Sequence, residues 1–237
     1  MKRFVQARVN GGSNYDSLNM TGRKFIAAVA LRANTLPTRS RCARGRVGAD
    51  PHCVACGPTV VENLSHILQV CYKTHGSRIA RHDRVLQVLA KRLERLGWKV
   101  RLELRINTSV GLRKPDLLVY KPGYQAWVID VSIVSCTYGD LDKPHLDKVA
   151  KYESCPEIAA VVRVEAECEP TFSAFIMDWR GALAPTTAAD MRLLELPWED
   201  LKLLSVICVE QGSWIHRAHQ RSNVVRPGHG FEACEPY

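Results

Sequence analysis

Residues 114–130 read KPDLLVYKPGYQAWVID, and their pattern decides the fold. Leu117, Leu118, Val119 and Tyr120 are strand formers, as are Trp127, Val128 and Ile129. Pro122-Gly123 between them is a turn signal. A β-hairpin folded at Gly123 has Asp116 and Asp130 seven residues away on either side, so the two carboxylates come roughly opposite each other. Directly opposed side chains have Cβ atoms about 5 Å apart. Carboxylates that close repel unless something positive lies between them. A hard divalent cation such as Mg2+, held by one or two carboxylates and a substrate phosphate, would fill that gap. The plainer explanation is a turn or capping role, since X-Pro-Asp is a common turn sequence. It does not suit Asp130, which sits inside the apolar run 126–134, where a charge is costly unless paired or metal-bound.

The chain has 237 residues, room for one large domain or two small ones, and 46% hydrophobic residues, enough for a sizeable core. No apolar run reaches the length of a membrane span, and the N-terminus lacks the apolar core of a signal peptide. The expectation is an intracellular protein with no membrane partner. The net charge of +9 is unevenly spread. Positions 1–52 carry ten Lys or Arg against two acids, whereas positions 153–210 carry four against eleven. Such asymmetry suggests a polyanion-binding face, although a basic helix surface such as the one around residues 91–101 is equally explained by solvation.

The nine cysteines are odd in number and irregularly spaced, which points to thiols or metal ligands rather than a disulfide framework. Cys53, Cys56, His66 and Cys71 have the spacing C-x2-C-x9-H-x4-C. Three thiolates and one imidazole suit tetrahedral Zn2+, and four protein ligands make the site structural rather than catalytic. His75 and His82 are alternatives for the fourth ligand. Between residues 38 and 50 an arginine-rich loop offers Arg39, Arg41, Arg44 and Arg46 to phosphates, as a strand or arm if not disordered.

A helix is expected from about Asp16, capped there or at Ser17, to Ala33, then a short one over 62–70. A long amphipathic one runs from His75 to Gly97, with Ile79, Leu86, Leu89, Leu93 and Leu96 apolar and Arg78 and Arg81 on a basic face that either contacts nucleic-acid phosphates or is solvated. Residues 98–106 read as a strand with Glu103 near its middle, either a third metal ligand or a solvent-facing acid beside Arg101 or Arg105. After the hairpin come a loop, a helix over 145–155 with Lys148 and Tyr152 four apart on one face, a strand over 157–167, strand-like sequence in 172–184, and helices over 187–195 and 198–222. Residues 1–14 and 223–237 look mobile. The resulting division is a basic N-terminal helix and Arg-rich loop (1–50), a zinc knuckle (51–74), an α/β core of α+β type with a mixed sheet flanked by helices (75–170), an extension (171–222) and a tail (223–237).

The order helix, strand, strand, strand, helix, strand across 75–167 resembles the PD-(D/E)xK restriction-like nuclease core. Pro115-Asp116 and Asp130 match its signature. Ser132 stands where that signature has lysine, and Lys148 on the following helix is well placed to replace it. Almost the whole chain, from about 20 to 222, resembles the C-terminal part of site-specific non-LTR retrotransposon polyproteins of the R-two type, which join a CCHC knuckle to such a nuclease. The matching residues are the Cys53–Cys71 unit, Thr74-His75-x2-Arg78-Ile79-x-Arg81-His82-Asp83, Lys114-Pro115-Asp116, Asp130-Val131-Ser132 and Lys148-Val149-x-Lys151-Tyr152. The resemblance implies a Mg2+-dependent endonuclease that nicks double-stranded target DNA in the nucleus, exposing a 3′-OH that primes reverse transcription. It assigns metal binding to Asp116 and Asp130 and catalytic support to Lys148 and Tyr152; Glu103 is a further candidate ligand from its place in the sequence alone. Its implied partners are target DNA, the element's RNA and a reverse transcriptase portion. No polymerase signature occurs in this chain, which is then a fragment, a separately encoded end or a remnant. The rivals are a zinc-containing nucleic-acid-binding remnant that does not cut, and a resolvase-like nuclease acting on branched DNA.

Overall fold

A computed structural model describes residues 20–135 and 140–222. The expected helix start at Asp16 or Ser17, part of the loop after the hairpin, and the two end segments therefore lie outside the described residues. The elements in chain order are α1 (Gly22–Arg32), α2 (Arg39–Cys42), a π-helical turn (His66–Val70), a 3-10 turn (Tyr72–Thr74), α3 (His75–Arg95), β1 (Lys99–Leu102), β2 (Ile106–Thr108), β3 (Gly111–Arg113), β4 (Leu117–Lys121), β5 (Gln125–Val134), α4 (Asp142–Glu153), α5 (Pro156–Ala166), β6 (Pro170–Asp178), α6 (Pro185–Leu193) and α7 (Trp198–Ser222). They divide into two compact units, with described parts 82–207 in one and 20–81 plus 208–222 in the other. Among the described residues no helix is long and apolar enough to cross a membrane.

The unit of residues 82–207 is built on a mixed sheet of order β1-β4-β5-β6, in which β1/β4 and β4/β5 are antiparallel and β5/β6 is parallel. The hairpin forms as the sequence pattern requires. Leu117 pairs with Ile129 and Lys121 with Gln125, a register symmetric about Gly123. Gly123 takes φ +67°, a left-handed turn conformation open to glycine at little cost. Side chains alternate faces along a strand, so the even-numbered residues of β4 and β5 share one face. Leu118, Tyr120, Ala126 and Val128 on that face pack with Tyr152, Cys155, Ile158, Val162 and Ala166 of α4–α5. Asp116 and Asp130 continue the same even-numbered set.

Residues 156–166 are helix α5, not the expected strand. Pro156 occupies the first helical turn, where it needs no N–H partner, and Ile158, Val162 and Ala166 recur every four residues as the buried stripe. The strand that pairs in parallel with β5 is β6, and the α4–α5 pair makes the crossover. The expected strand over 98–106 is also broken. It ends at Leu102, Glu103 takes a left-handed φ of +51°, and Ile106 enters the separate β2–β3 ribbon.

In the unit of residues 20–81 and 208–222, Thr38 caps a short helical turn, α2, where an open loop or arm was expected. His52 bridges to Val61, closing a small loop over Cys53 and Cys56. Helix α3 starts in this unit, and its two expected phosphate-binding arginines are instead spent on backbone. Arg81 is 1% exposed and donates to the Leu68 carbonyl at 3.0 Å. Arg78 donates to the carbonyls of Gln69 and Cys71. The end of a π-turn leaves carbonyls unsatisfied, and these guanidinium groups supply the donors.

The helical assignment of α5 is directly testable. Ile158→Ala should cost about 2–4 kcal/mol in urea unfolding, because its side chain is fully buried. Val164→Ala, at 85% exposure, should cost under about 0.5 kcal/mol. Equal costs at the two positions would contradict this packing.

Candidate functional site

Asp130 is only 4% exposed, yet it lies in the central strand β5. Its charge is met from α4. Lys148 Nζ stands 2.6 Å from Asp130 Oδ2, and the Tyr152 hydroxyl donates to Oδ1 at 2.5 Å. The four-residue spacing puts both side chains on one helical face. Ser132, two residues after Asp130, donates to its Oδ2 at 3.3 Å. Burial, first of all, and then the Asp130 contact push the Tyr152 phenol well above its ordinary range, so it remains a donor. Helix α4 is itself pinned. His145 Nε2 lies 3.0 Å from Asp190 Oδ2, Ser173 of β6 donates to the same oxygen at 2.5 Å, and Thr186 donates its hydroxyl to Asp142 at 2.8 Å.

Asp116 is met from the opposite direction in sequence. Its Oδ2 accepts the Val131 N–H at 2.7 Å and lies 3.5 Å from His82 Nε2. His82 Nε2 is also 3.0 Å from the Val131 carbonyl, and Nδ1 is 3.1 Å from Asp83 Oδ1. The hydrogen bond to Asp116, before the smaller effect of Asp83 and against burial, raises the His82 pKa to about 9. His82 is thus a charged member of this site rather than a ligand of the cysteine cluster. The sequence signal for it was the Arg81-His82-Asp83 run, which composition alone does not separate from any basic helix face.

Asp116, Asp130, Lys148 and Tyr152 are thus brought together with His82. Glu103 is not. Its N–H donates to the Asp116 carbonyl at 2.9 Å, but its side chain is exposed. Among the described residues no compact cluster of three or more ligand atoms joins Asp116, Asp130 and Glu103. What the site offers a cation is two carboxylates, one within β5 and one at the entry to β4, a hard oxygen set of the kind that is completed by water and phosphate.

The second constellation is soft. One ligand atom from each of Cys53, Cys56, His66 and Cys71 lies within 4.8 Å of all the others. Cys71 Sγ is 3.7 Å from that of Cys56 and 4.0 Å from that of Cys53. The π-turn makes this possible. Its bond from the Cys71 N–H to the His66 carbonyl, at 2.8 Å, holds the last two ligands on one side of the chain. Asn63 caps the turn by accepting the His66 N–H at 2.8 Å. His66 Nε2 is buried with no hydrogen-bond partner among the described residues, as befits a nitrogen whose partner is a metal. Burial, chiefly, pushes the Cys71 thiol up to about 12 without a metal, and lowers the His66 pKa. A cation that replaces those protons removes the penalty. The donor set and the orphaned nitrogen both fit a tetrahedral metal.

Of the four loop arginines, Arg39 pairs with Asp50 at 2.8 Å and Arg41 donates to the Asn34 carbonyl at 3.4 Å, whereas Arg44 and Arg46 are exposed.

No protein-family model matches the chain. The chain is similar to the retrovirus-related Pol polyprotein from type-1 retrotransposable element R2 of Bradysia coprophila, with 32% identity over 212 residues, 87% of this chain and 24% of that protein. It is 35% identical over 164 residues to the corresponding polyprotein of the type-2 element R2DM of Drosophila melanogaster, 68% of this chain and 15% of that protein. A type-1 R2 polyprotein of Popillia japonica is 34% identical over 209 residues, 87% of this chain and 42% of its own length. The chain spans less than half of each of these relatives.

Because the folded pKa of His82 lies above its usual 6.5, its pairing stabilises the protein fully below about pH 6.5 and ceases to do so as pH rises through about 9. In EDTA-containing buffer, wild-type stability should fall across that window relative to His82→Gln. The imidazole resonance should titrate near 9, and Asp116→Asn should return it toward its ordinary value. A wild-type titration near 6.5 would remove the Asp116–His82 pairing from the site.

Proposed function

Since the chain is homologous over most of its length to one region of R2-type non-LTR retrotransposon polyproteins, we propose that it is the DNA-cutting part of such a polyprotein, with a restriction-like PD-(D/E)xK core. The observation that carries the proposal is the buried Asp130 carboxylate, paired with Lys148 and Tyr152, with Asp116 just before β4 accepting from the neighbouring Val131 N–H. A carboxylate buried to this degree in a central strand costs more than an apolar residue in its place, and such buried acids cluster at functional sites. The reaction is hydrolysis of one phosphodiester. Water oxygen adds to phosphorus, the P–O3′ bond breaks, and the leaving oxygen takes a proton to become the 3′-OH that primes reverse transcription. Asp116 and Asp130 would hold Mg2+, which when bound lowers the pKa of a water and offsets charge on the phosphate.

Within the chain, Lys148 carries the only ammonium on Asp130 among the described contacts and is one-third exposed, so it can turn to a phosphate oxygen or orient the water. Tyr152 fixes the carboxylate plane of Asp130. His82 fixes Asp116 and the Val131 carbonyl at once, holding the two strand ends in register.

The cysteine cluster is read as a structural Zn2+ site. Its unit carries twelve Lys or Arg against three acids over residues 20–81 and 208–222. Arg44 and Arg46, with Arg217 and Arg221 flanking the half-exposed Trp214 on α7, suit a phosphate backbone and its bases. The partners proposed are double-stranded target DNA, the element's RNA and the polymerase portion of the polyprotein, in the nucleus. A second reading is favoured by one observation. Both Asp130 oxygens already have protein partners, as they would in a nucleic-acid-binding remnant that no longer cuts.

Nicking of supercoiled plasmid by the purified chain separates the two. With Mg2+, wild type should nick, EDTA should abolish it, and Asp130→Asn and Lys148→Ala should each reduce it by about 100-fold or more with DNA binding retained. Binding by all three proteins with no nicking by any would establish the remnant. Affinity for DNA should fall steeply with salt in either case.

A further inference from the structure

His219 lies near the end of α7, 166 positions after Cys53 in the chain, yet its Nε2 is 4.0 Å from Cys53 Sγ. Cys53, Glu62 and His219 each offer an atom within 4.8 Å of the other two, and all three residues are buried. A metal-bound thiolate keeps negative charge, and a buried carboxylate beside it would repel it. The group that stands with both is the imidazole of His219. We propose that His219 is a positioning residue of the metal centre, donating its Nε2–H to the Cys53 thiolate while Cys53, Cys56, His66 and Cys71 hold the ion.

The inference rests on the reading of that cluster as a zinc site. The four-residue set is complete for tetrahedral coordination. His219 is grouped with Cys53 but not with Cys56, His66 and Cys71. It therefore touches a ligand rather than the ion. Donors to a ligand atom fix its orientation and offset its charge, and their loss typically costs 10–100-fold in metal affinity. The surroundings hold both partners in place. Glu62 Oε1 accepts the Arg39 N–H at 3.1 Å, and its carboxylate is also bonded by Gln220. One helical turn before His219, His216 Nε2 reaches the Pro37 carbonyl at 2.7 Å, where Gln220 also donates at 3.2 Å. The end of α7 is thus tied to residues 37–62 by polar contacts that converge on the metal ligand. The centre joins the two separate stretches that make up this unit, so it is not a self-contained knuckle of residues 51–74.

The test uses the whole chain loaded with zinc, and with cobalt in its place. His219→Phe keeps a ring without a donor, and His219→Gln keeps an N–H donor. His219→Phe should release zinc to a chromophoric chelator about 10–100-fold faster than wild type, and its thiolate-to-cobalt absorption should shift. His219→Gln should restore most of both. Release and spectrum of His219→Phe identical to wild type would overturn the role of His219 and leave the zinc site standing. A wild-type chain that takes up neither zinc nor cobalt would overturn the zinc reading and this inference with it, whereas Cys56→Ser losing the metal that wild type binds upholds the first.

Discussion

The sheet of residues 82–207 depends on how one buried negative charge is answered. Asp130 occupies the position on β5 where the apolar face of Ala126 and Val128 would otherwise run on. An unanswered carboxylate there would cost several kcal/mol. Its answer comes from a helix that the chain reaches only after leaving the sheet. Helix α4 must be fixed along its length and in rotation for Lys148 and Tyr152 to meet the two oxygens, and the contacts of His145, Asp190, Ser173, Asp142 and Thr186 do that fixing. The packing of α5 under the sheet and the polar contacts around α4 serve one geometric requirement.

What was legible in the sequence was what is local. The hairpin register followed from a turn dipeptide and equal spacing, because side-chain direction has period two and the turn fixes the phase. The Cys/His spacing foretold the cluster, because ligand spacing is a local property. Lys148 and Tyr152 followed from helical periodicity, with the position of lysine guided by family resemblance. The misreadings came where two periods fit equally well. In EIAAVVRVEAE the β-branched residues imitate a strand, and only the buried stripe at 158, 162 and 166 decides for helix. Glu103 reads as mid-strand because nothing in its side chain announces a left-handed backbone. Arg81 looked like a surface cation, since sequence does not reveal which carbonyls lack donors.

Residues that act across long separations were hidden for a different reason. His82 faces a carbonyl 49 positions later, and His219 faces a cysteine 166 positions earlier. Neither sits in a pattern with its partner. The homology to R2-type polyproteins extends over most of the chain but does not say which atoms meet. The division of the chain into 82–207 and the remainder likewise cuts through α3 and α7, so unit boundaries do not coincide with element boundaries.

The parallel pairing of β5 with β6 has a consequence for the order in which the chain folds. An antiparallel hairpin closes locally and early, but a parallel partner arrives only after the crossover has been laid down. In the nascent hairpin, Asp116 and Asp130 stand as two like charges with no counter-ion from α4. The same late event that closes the sheet brings Lys148 and Tyr152 to Asp130. Completion of the sheet and neutralisation of Asp130 are therefore one cooperative step, and a chain stalled before it holds a hairpin with an unanswered buried charge and an open edge.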